Sequence, residues 1–327
     1  MATATETVST ATGAGGAVAT PPLTLRSRLR RNLGPDADGY LFVLPAVIIV
    51  FCLIIYPFFL AVWFSLSNAF IGEPSKFIGL ENFYYILLED DIFLLTVRNT
   101  ILFAAISVVC KVFFGLICAM LLLRITKFKR LLRGTMLLPF VAPTALTTLG
   151  WWLILDPTYS HINWLLKHFW PLSELGLGPY QFLGEPKLAL GSVIFVNIWR
   201  GLPFFIITIL AGLVAIPDHL YEAADIDGAS TWQKFWNITL PLLRPVLAII
   251  ILFSTIFTLA DFNIVYVLTR GGPMNETHLF ATYSFTYGIL NHEIGLGAAI
   301  SLFLFPILAF TVIFLLRLVR RDSAYEL

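Results

Sequence analysis

The chain is short of charge. Asp, Glu, Lys and Arg make up 13% of its 327 residues, against 58% hydrophobic residues and a mean hydropathy of +0.85. A soluble domain carries about twice that charge, so an ordinary soluble domain is excluded. The net charge of +1 supplies no basic field for nucleic acid. Cysteine is scarce: Cys52, Cys110 and Cys118 fall inside apolar runs, lack metal-ligand spacing, and read as small core residues. His161, His168, His219, His278 and His292 are scattered through what read as loops, which gives no footing for metal or nucleophile chemistry. There is no G-x-x-x-x-G-K-[ST] loop, so the chain does not hold a nucleotide that way. The expectation is a non-enzyme without metal or cofactor. No internal repeat recurs at a fixed period.

The apolar residues are gathered in six long runs: Tyr40 to Leu66, then about Arg98–Leu123, Arg133–Leu155, Leu188–Ile216, Pro241–Leu268 and Leu296–Leu316. Each is long enough to cross a bilayer core, which predicts an all-α polytopic membrane protein with six transmembrane helices. The first run is too long for a signal-peptide core and reads as an uncleaved helix, with Pro45 and Pro57 as candidate kinks. Before it, an Ala-, Thr- and Gly-rich tail cannot bury enough apolar surface to fold. Six spans put both termini on one side, and lysine and arginine assign that side. Arg26, Arg28, Arg30, Arg31, Arg124, Lys127, Lys129, Arg130, Arg133, Lys234, Arg244, Arg317, Arg320 and Arg321 fall together; Lys76, Arg98, Lys167, Lys187 and Arg270 fall opposite. The richer side is cytoplasmic and holds both termini. On the outer side, Ser67 to Val97 and Asp156 to Lys187 carry Phe77, Phe83, Tyr84, Tyr159, Trp164, Phe169 and Trp170. Most of these suit an interfacial aromatic belt, with the loop backbone free to receive an extracytoplasmic partner.

One polar segment, residues 217–241, reads as folded. Asp218 suits the cap of a short helix carrying Leu220, Glu222, Ala223, Ala224, Asp225 and Asp227. Gly228 ends it with a sharp turn. Ser230 opens a second helix, with Gln233 at capping-box spacing. Pro241 is placed to start the next membrane helix. Two short helices joined by a glycine elbow on the cytoplasmic face predict a docking site for another protein.

Polar residues within the spans need a reason, since an ionised group near the bilayer centre costs about 2.5–3.5 kcal/mol on insertion scales. Asn197, Arg200, Gly201 and Phe204 are spaced three, one and three apart, on one helical face. Ser254, Phe257, Thr258 and Asp261 repeat that spacing, and Phe140 and Thr144 stand at i, i+4 beside Pro139 and Pro143. Gly201 and Pro203 are expected to weaken their helix and free backbone toward a cavity. Hydroxyls, an amide, a carboxylate and aromatic rings together fit a polyhydroxylated solute; helix-to-helix hydrogen bonding is the simpler alternative for the single hydroxyls. Arg200 either pairs with Asp261 or meets a polar or anionic ligand directly. Lys111 stands alone and reads as snorkelling, or as meeting a neighbouring subunit's carboxylate. Only Asp261 is a carboxylate deep in a span, which argues against an ion-coupled secondary transporter.

Glu222-Ala223-Ala224, Gly228, and Ile238-x-Leu240-Pro241 match the EAA…G…I-LP loop of ABC importer permeases, with nine residues between the glycine and the isoleucine. The stretches LPFVAPT (Leu138 to Thr144), NIWRGLPF (Asn197 to Phe204) and VYVLTRGGPMNET (Val265 to Thr277) resemble the carbohydrate branch of these permeases, the maltose and glycerol-phosphate type. The similarity covers about Val97 to Arg317. It implies the type I importer permease fold, with the 217–241 loop as coupling helix. It also implies this organisation: residues 1–38 a disordered cytoplasmic tail, 39–96 the first transmembrane helix and outer loop, 97–317 the permease core, and 318–327 a cytoplasmic tail. Carried over by motif, the substrate pathway falls on Phe140, Thr144, Asn197, Arg200, Gly201, Phe204, Phe257, Thr258 and Asp261, beside Ser254. Arg200 stands where the maltose system has an apolar residue, and Thr258 and Asp261 stand where it has asparagines. The implied partners are a second permease in a heterodimer, two ABC ATPase subunits that bind the ATP, an extracytoplasmic solute-binding protein and a sugar, in a bacterial or archaeal plasma membrane. A permease for another polar solute is the alternative.

Overall fold

The structure is a computed structural model, described for residues 37–323 except 126, 157, 159, 170, 171, 176 and 177. The expected N-terminal tail, with Arg26, Arg28, Arg30 and Arg31, lies outside the described residues, as do Tyr159 and Trp170. The chain forms two compact units, Met1–Phe58 and Phe59–Leu327.

In the first unit, α1 spans Ala37–Val50 and runs through Pro45; a π turn, Phe51–Ile55, leads into α2, Tyr56–Ser65, most of which belongs to the second unit. Widening the helix by one residue just before Pro57 accommodates a ring that lacks an N–H. Cys52 is exposed, against the core reading; Cys110 and Cys118 are half-buried, and Cys118 packs against a core cluster.

In the second unit, a two-residue antiparallel ribbon pairs β1 (Ser67–Asn68) with β2 (Lys76–Phe77). Then come α3 (Glu81–Leu88), α4 (Asp91–Arg124), α5 (Lys129–Val141), α6 (Thr144–Leu155), α7 (His161–His168), α8 (Pro186–Val214) and α9 (Asp218–Ile226). They are followed by α10 (Thr231–Lys234), α11 (Leu240–Leu259), α12 (Asn263–Leu268), α13 (Phe280–Phe285) and α14 (Ile294–Ser323). Five helical runs are long and apolar enough to cross a membrane, and the α5–α6 pair, bent by 90°, makes a sixth if counted as one span. The outer loops thus contain short helices, and His161, His168 and His219 lie in α7 and α9 rather than in loops. Of the expected belt, Phe77, Tyr84, Trp164 and Phe169 are exposed, while Phe83 packs edge-on against Phe303.

Three of the expected spans differ in ways that shape the interior. The third is broken between α5 and α6, because Ala142 precedes Pro143 and takes an extended backbone (ψ 143°). The fourth, expected to be weakened, is the continuous α8: Gly201 and Pro203 do not interrupt it. The fifth ends at Leu259 and restarts at Asn263, because the Asp261 carboxylate accepts the Ile264 N–H at 3.1 Å and so caps α12.

Three buried clusters hold the bundle. Leu122 of α4, Phe205, Ile206, Ile209 and Leu213 of α8, and Leu243, Leu247 and Ile250 of α11 form the first. Phe103, Leu155, Val193, Val196, Ile264, Val265 and Leu279 form the second. Ile86, Phe93, Phe280, Tyr283 and Ile300 form the third. Between membrane helices, close packing replaces the hydrophobic drive. Gly115 of α4 meets that need, since a Cβ there would stand 2.8 Å from Phe205 Cβ.

Candidate functional site

Beside the first cluster, whose Phe205 forms part of its wall, lies a cavity of about 410 Å³. Phe140, Thr144, Asn197, Arg200, Gly201, Phe204, Ser254, Phe257, Thr258 and Asp261, the ten pathway residues read from the sequence, all line it. The helix breaks bring them together. Phe140 and Thr144, expected on one helical face, instead flank the α5–α6 break. Ser254, Phe257 and Thr258 close α11, and Asp261 sits in the gap before α12. Irregular backbone at membrane depth is tolerated where it lines a polar cavity.

The polar groups are fixed by one another. Asn197, 6% exposed, donates its Nδ2 to Asp261 Oδ2 at 3.0 Å. The other carboxylate oxygen takes the Ile264 N–H. No hydrogen bond or ion pair joins Arg200 to Asp261 among the described residues, so of the two alternatives for Arg200 the direct pair is not formed. Arg200 Nε and Asn197 Oδ1 are both buried without a hydrogen-bond partner. The aromatic wall is partly self-stacked: Phe140 lies on Phe204, ring centroids 5.6 Å apart and 13° between planes.

The sequence reading missed Phe205, Ala260, Phe262 and Asn263, which also line the cavity. It misplaced Lys111. This residue neither snorkels nor reaches out of the bundle: it is 3% exposed and donates to Thr258 Oγ1 at 3.2 Å. Gly201 makes room for it, since a Cβ there would stand 2.8 Å from Lys111 Cε. The role of Gly201 is therefore close approach, not helix weakening. Its spacing to Asn197 carried that signal only once Lys111 was placed opposite.

The second candidate site is the polar elbow. Here α9 ends in two nested bonds, Ala229 N–H to Ala224 O at 2.9 Å and Gly228 N–H to Asp225 O at 3.1 Å, with Gly228 left-handed at φ +73°. Asp218 is the first residue of α9 and makes no capping bond; Pro217 holds the cap position instead. The capping box forms as expected: Ser230 N–H donates to Gln233 Oε1 at 2.7 Å and Gln233 N–H to Ser230 Oγ at 3.3 Å. Pro241 does not begin the helix. The helix runs from Thr231 to Leu259 through a π turn, Phe235–Thr239, which absorbs the proline two residues on. An ion pair between Asp225 and Lys234 ties the two arms. Tyr221 anchors the elbow by a 2.9 Å bond between its hydroxyl and Thr239 Oγ1. Leu220 packs against the first cluster. Glu222, Ala223, Asp227 and Gly228 are left exposed, beside an Ile226 that is 88% exposed.

A polytopic bundle that holds a polar cavity and a hydrogen-bonded polar elbow has the parts of a membrane transport subunit. The chain belongs to the family described as binding-protein-dependent transport system inner membrane component, which its residues 111–322 match. It is 38% identical to the trehalose/maltose transport system permease protein MalF of Thermococcus litoralis, over 85% of this chain and 92% of that one. It is 33% identical to the sulfoquinovosyl glycerol transport system permease protein SmoG of Agrobacterium fabrum, over 88% of this chain and 92% of that one. Its fold matches a chain of a bacterial alginate ABC transporter, solved in complex with an alginate pentasaccharide-bound periplasmic protein. That match has a TM-score of 0.75 at 22% identity, over 90% of this chain and 98% of that one. The chain is thus a multi-pass inner-membrane permease of the ABC importer class.

Proposed function

We propose that the chain forms one half of the translocation pathway of an ATP-driven sugar importer and is moved through its elbow by a separate ATPase. The observation that carries the sugar reading is the cavity. It sets aromatic rings beside hydroxyl, amide and guanidinium groups, and among the last two are a buried donor and a buried acceptor with no internal partner. A ligand rich in hydroxyls, which both donate and accept and whose C–H faces stack on rings, is the natural complement of such a lining. Trehalose and maltose, named for the Thermococcus relative, are ligands of that kind.

The partners in this reading are a second permease, two ATPase subunits and an extracytoplasmic solute-binding protein. Both termini and the elbow face the cytoplasm. Residues 97–317 act as the permease core; the expected tail bounds at 38 and 318 shift outward, since α1 begins at Ala37 and α14 runs to Ser323. Glu222, Ala223, Ala224, Asp225, Asp227 and Gly228 form the coupling surface. ATP is bound and hydrolysed by the partner, not by this chain. The test is uptake of labelled trehalose, maltose and other neutral saccharides by a strain lacking and then regaining this gene. Glu222→Ala is expected to abolish uptake and sugar-stimulated ATP hydrolysis while the binding protein still captures sugar. Full uptake with Glu222→Ala would overturn the coupling role, and a restored strain that takes up no saccharide would overturn the sugar reading.

A further inference from the structure

A lysine buried in a span needs a reason, and Lys111 has a specific one. Its ammonium bonds to Thr258 Oγ1 at 3.2 Å. An ammonium only donates, so the threonine oxygen accepts and its own hydrogen must point elsewhere. Hydroxyls in helices usually return that hydrogen to the carbonyl one turn back, as Thr255 does to Ile251 O at 2.7 Å and Thr269 to Val265 O at 3.0 Å. Thr258 makes no such bond among the described residues, although it is 2% exposed and lines the cavity. Its proton is left for whatever occupies the cavity.

Two neighbouring groups are polarised by the same logic. Asn197 gives its Nδ2 to Asp261, which orients the amide and leaves Oδ1 as a buried acceptor without a partner. Arg200 keeps a buried Nε–H donor without a partner. Both atoms are buried away from accessible surface, so of these three groups only the Thr258 hydroxyl serves as a donor to the cavity.

We propose that Lys111 is a positioning residue: by occupying the Thr258 oxygen it makes that hydroxyl a fixed donor toward the ligand in the cavity. Gly201 belongs to the device, because a Cβ there would stand 2.8 Å from Lys111 Cε and push the end of the lysine away from its place beside Thr258. This rests on the sugar reading above.

The test uses the complete importer in proteoliposomes, this chain with its partner permease, ATPases and binding protein, and trehalose, maltose and a panel of neutral saccharides as probes. Lys111→Met is expected to lower the maximal uptake rate about tenfold, the worth of one well-aligned buried hydrogen bond. The half-saturating concentration stays unchanged, since capture belongs to the binding protein. Lys111→Arg restores most of the rate. The double variant K111M/T258V is no slower than T258V alone, because the lysine acts through that hydroxyl. Additive losses in the double variant, or an arginine that fails to rescue, overturn the inference while the sugar reading stands. A wild-type importer that moves no saccharide overturns both. If K111M fails to assemble, Gly201→Ala, which displaces the lysine without removing its charge, must give the same rate loss; a normal rate with G201A refutes the inference.

Discussion

His278 shows what one buried side chain commits a loop to. It lies beyond α12, outside the spans, 3% exposed, with Nδ1 3.3 Å from Thr282 Oγ1. The backbone of Gly271 packs against its ring: a Cβ there would fall 2.1 Å from His278 Cε1, and the residue sits at φ +89°. Burial pulls the imidazole pKa down to about 4 from an ordinary 6.5. The unfolded loop therefore binds the proton first. The stability held by neutral His278 is complete above about pH 6.5 and is lost progressively as pH falls toward 4, a total of order 3 kcal/mol. Thermal unfolding of the purified chain in detergent should drop across that window, and His278→Gln should flatten the drop. An unchanged slope in the variant would show that another group carries it. The Gly271-Gly272-Pro273 turn was legible as a motif, but the histidine was not, since nothing in its sequence neighbourhood marks it as buried.

At the scale of elements, the elbow is the part the chain specifies most locally. Its caps, glycine and ion pair all lie within a few residues of one another, which is why capping spacing alone located it. Gly228→Ala meets no steric neighbour, so its cost is the left-handed backbone alone, about 1–2 kcal/mol. Ser230→Ala removes the capping box and costs about 1 kcal/mol. Both are expected to leave the bundle assembled, while lowering uptake more than sugar-free ATP hydrolysis in the reconstituted importer. Equal losses in the two readouts would mean that the elbow stabilises the assembly without transmitting motion. The helix breaks were less legible. Hydropathy runs straight through Ala142–Pro143 and through Asp261, because apolar residues continue on both sides; what stops the helices is the backbone preference before a proline and a carboxylate that caps the next helix. Pro241 misled in the opposite sense. It looked like a start signal, and the π turn before it lets the helix begin ten residues earlier, at Thr231.

Across the whole molecule, the ten residues read from the sequence line one cavity. Spacing accounts for Asn197, Arg200, Gly201 and Phe204 on the continuous α8. Phe140, Thr144 and Asp261 are brought there by helix breaks, and motif resemblance, not a shared face, pointed to them. Lys111 could not be read in either way, because its partner stands on another helix and no spacing on its own span points there. Side assignment is likewise a property of the whole chain, resting on the lysine and arginine surplus of one set of loops, and it makes the last prediction. With Cys52, Cys110 and Cys118 replaced by serine, single cysteines at Asp227 in the elbow and at Lys76 and Met274 in loops at the opposite helix ends give three exposed probes. In intact cells an impermeant maleimide should label the Lys76 and Met274 positions and spare Asp227. In inside-out vesicles the pattern should reverse. Adding the ATPase partner to those vesicles should then protect Asp227, because Glu222, Ile226 and Asp227 form one exposed face on a rigid turn and any docked motor must cover it. Labelling of Asp227 from outside the cell would invert the topology and remove the elbow from reach of ATP, and labelling unaffected by the ATPase would detach the motor from this face.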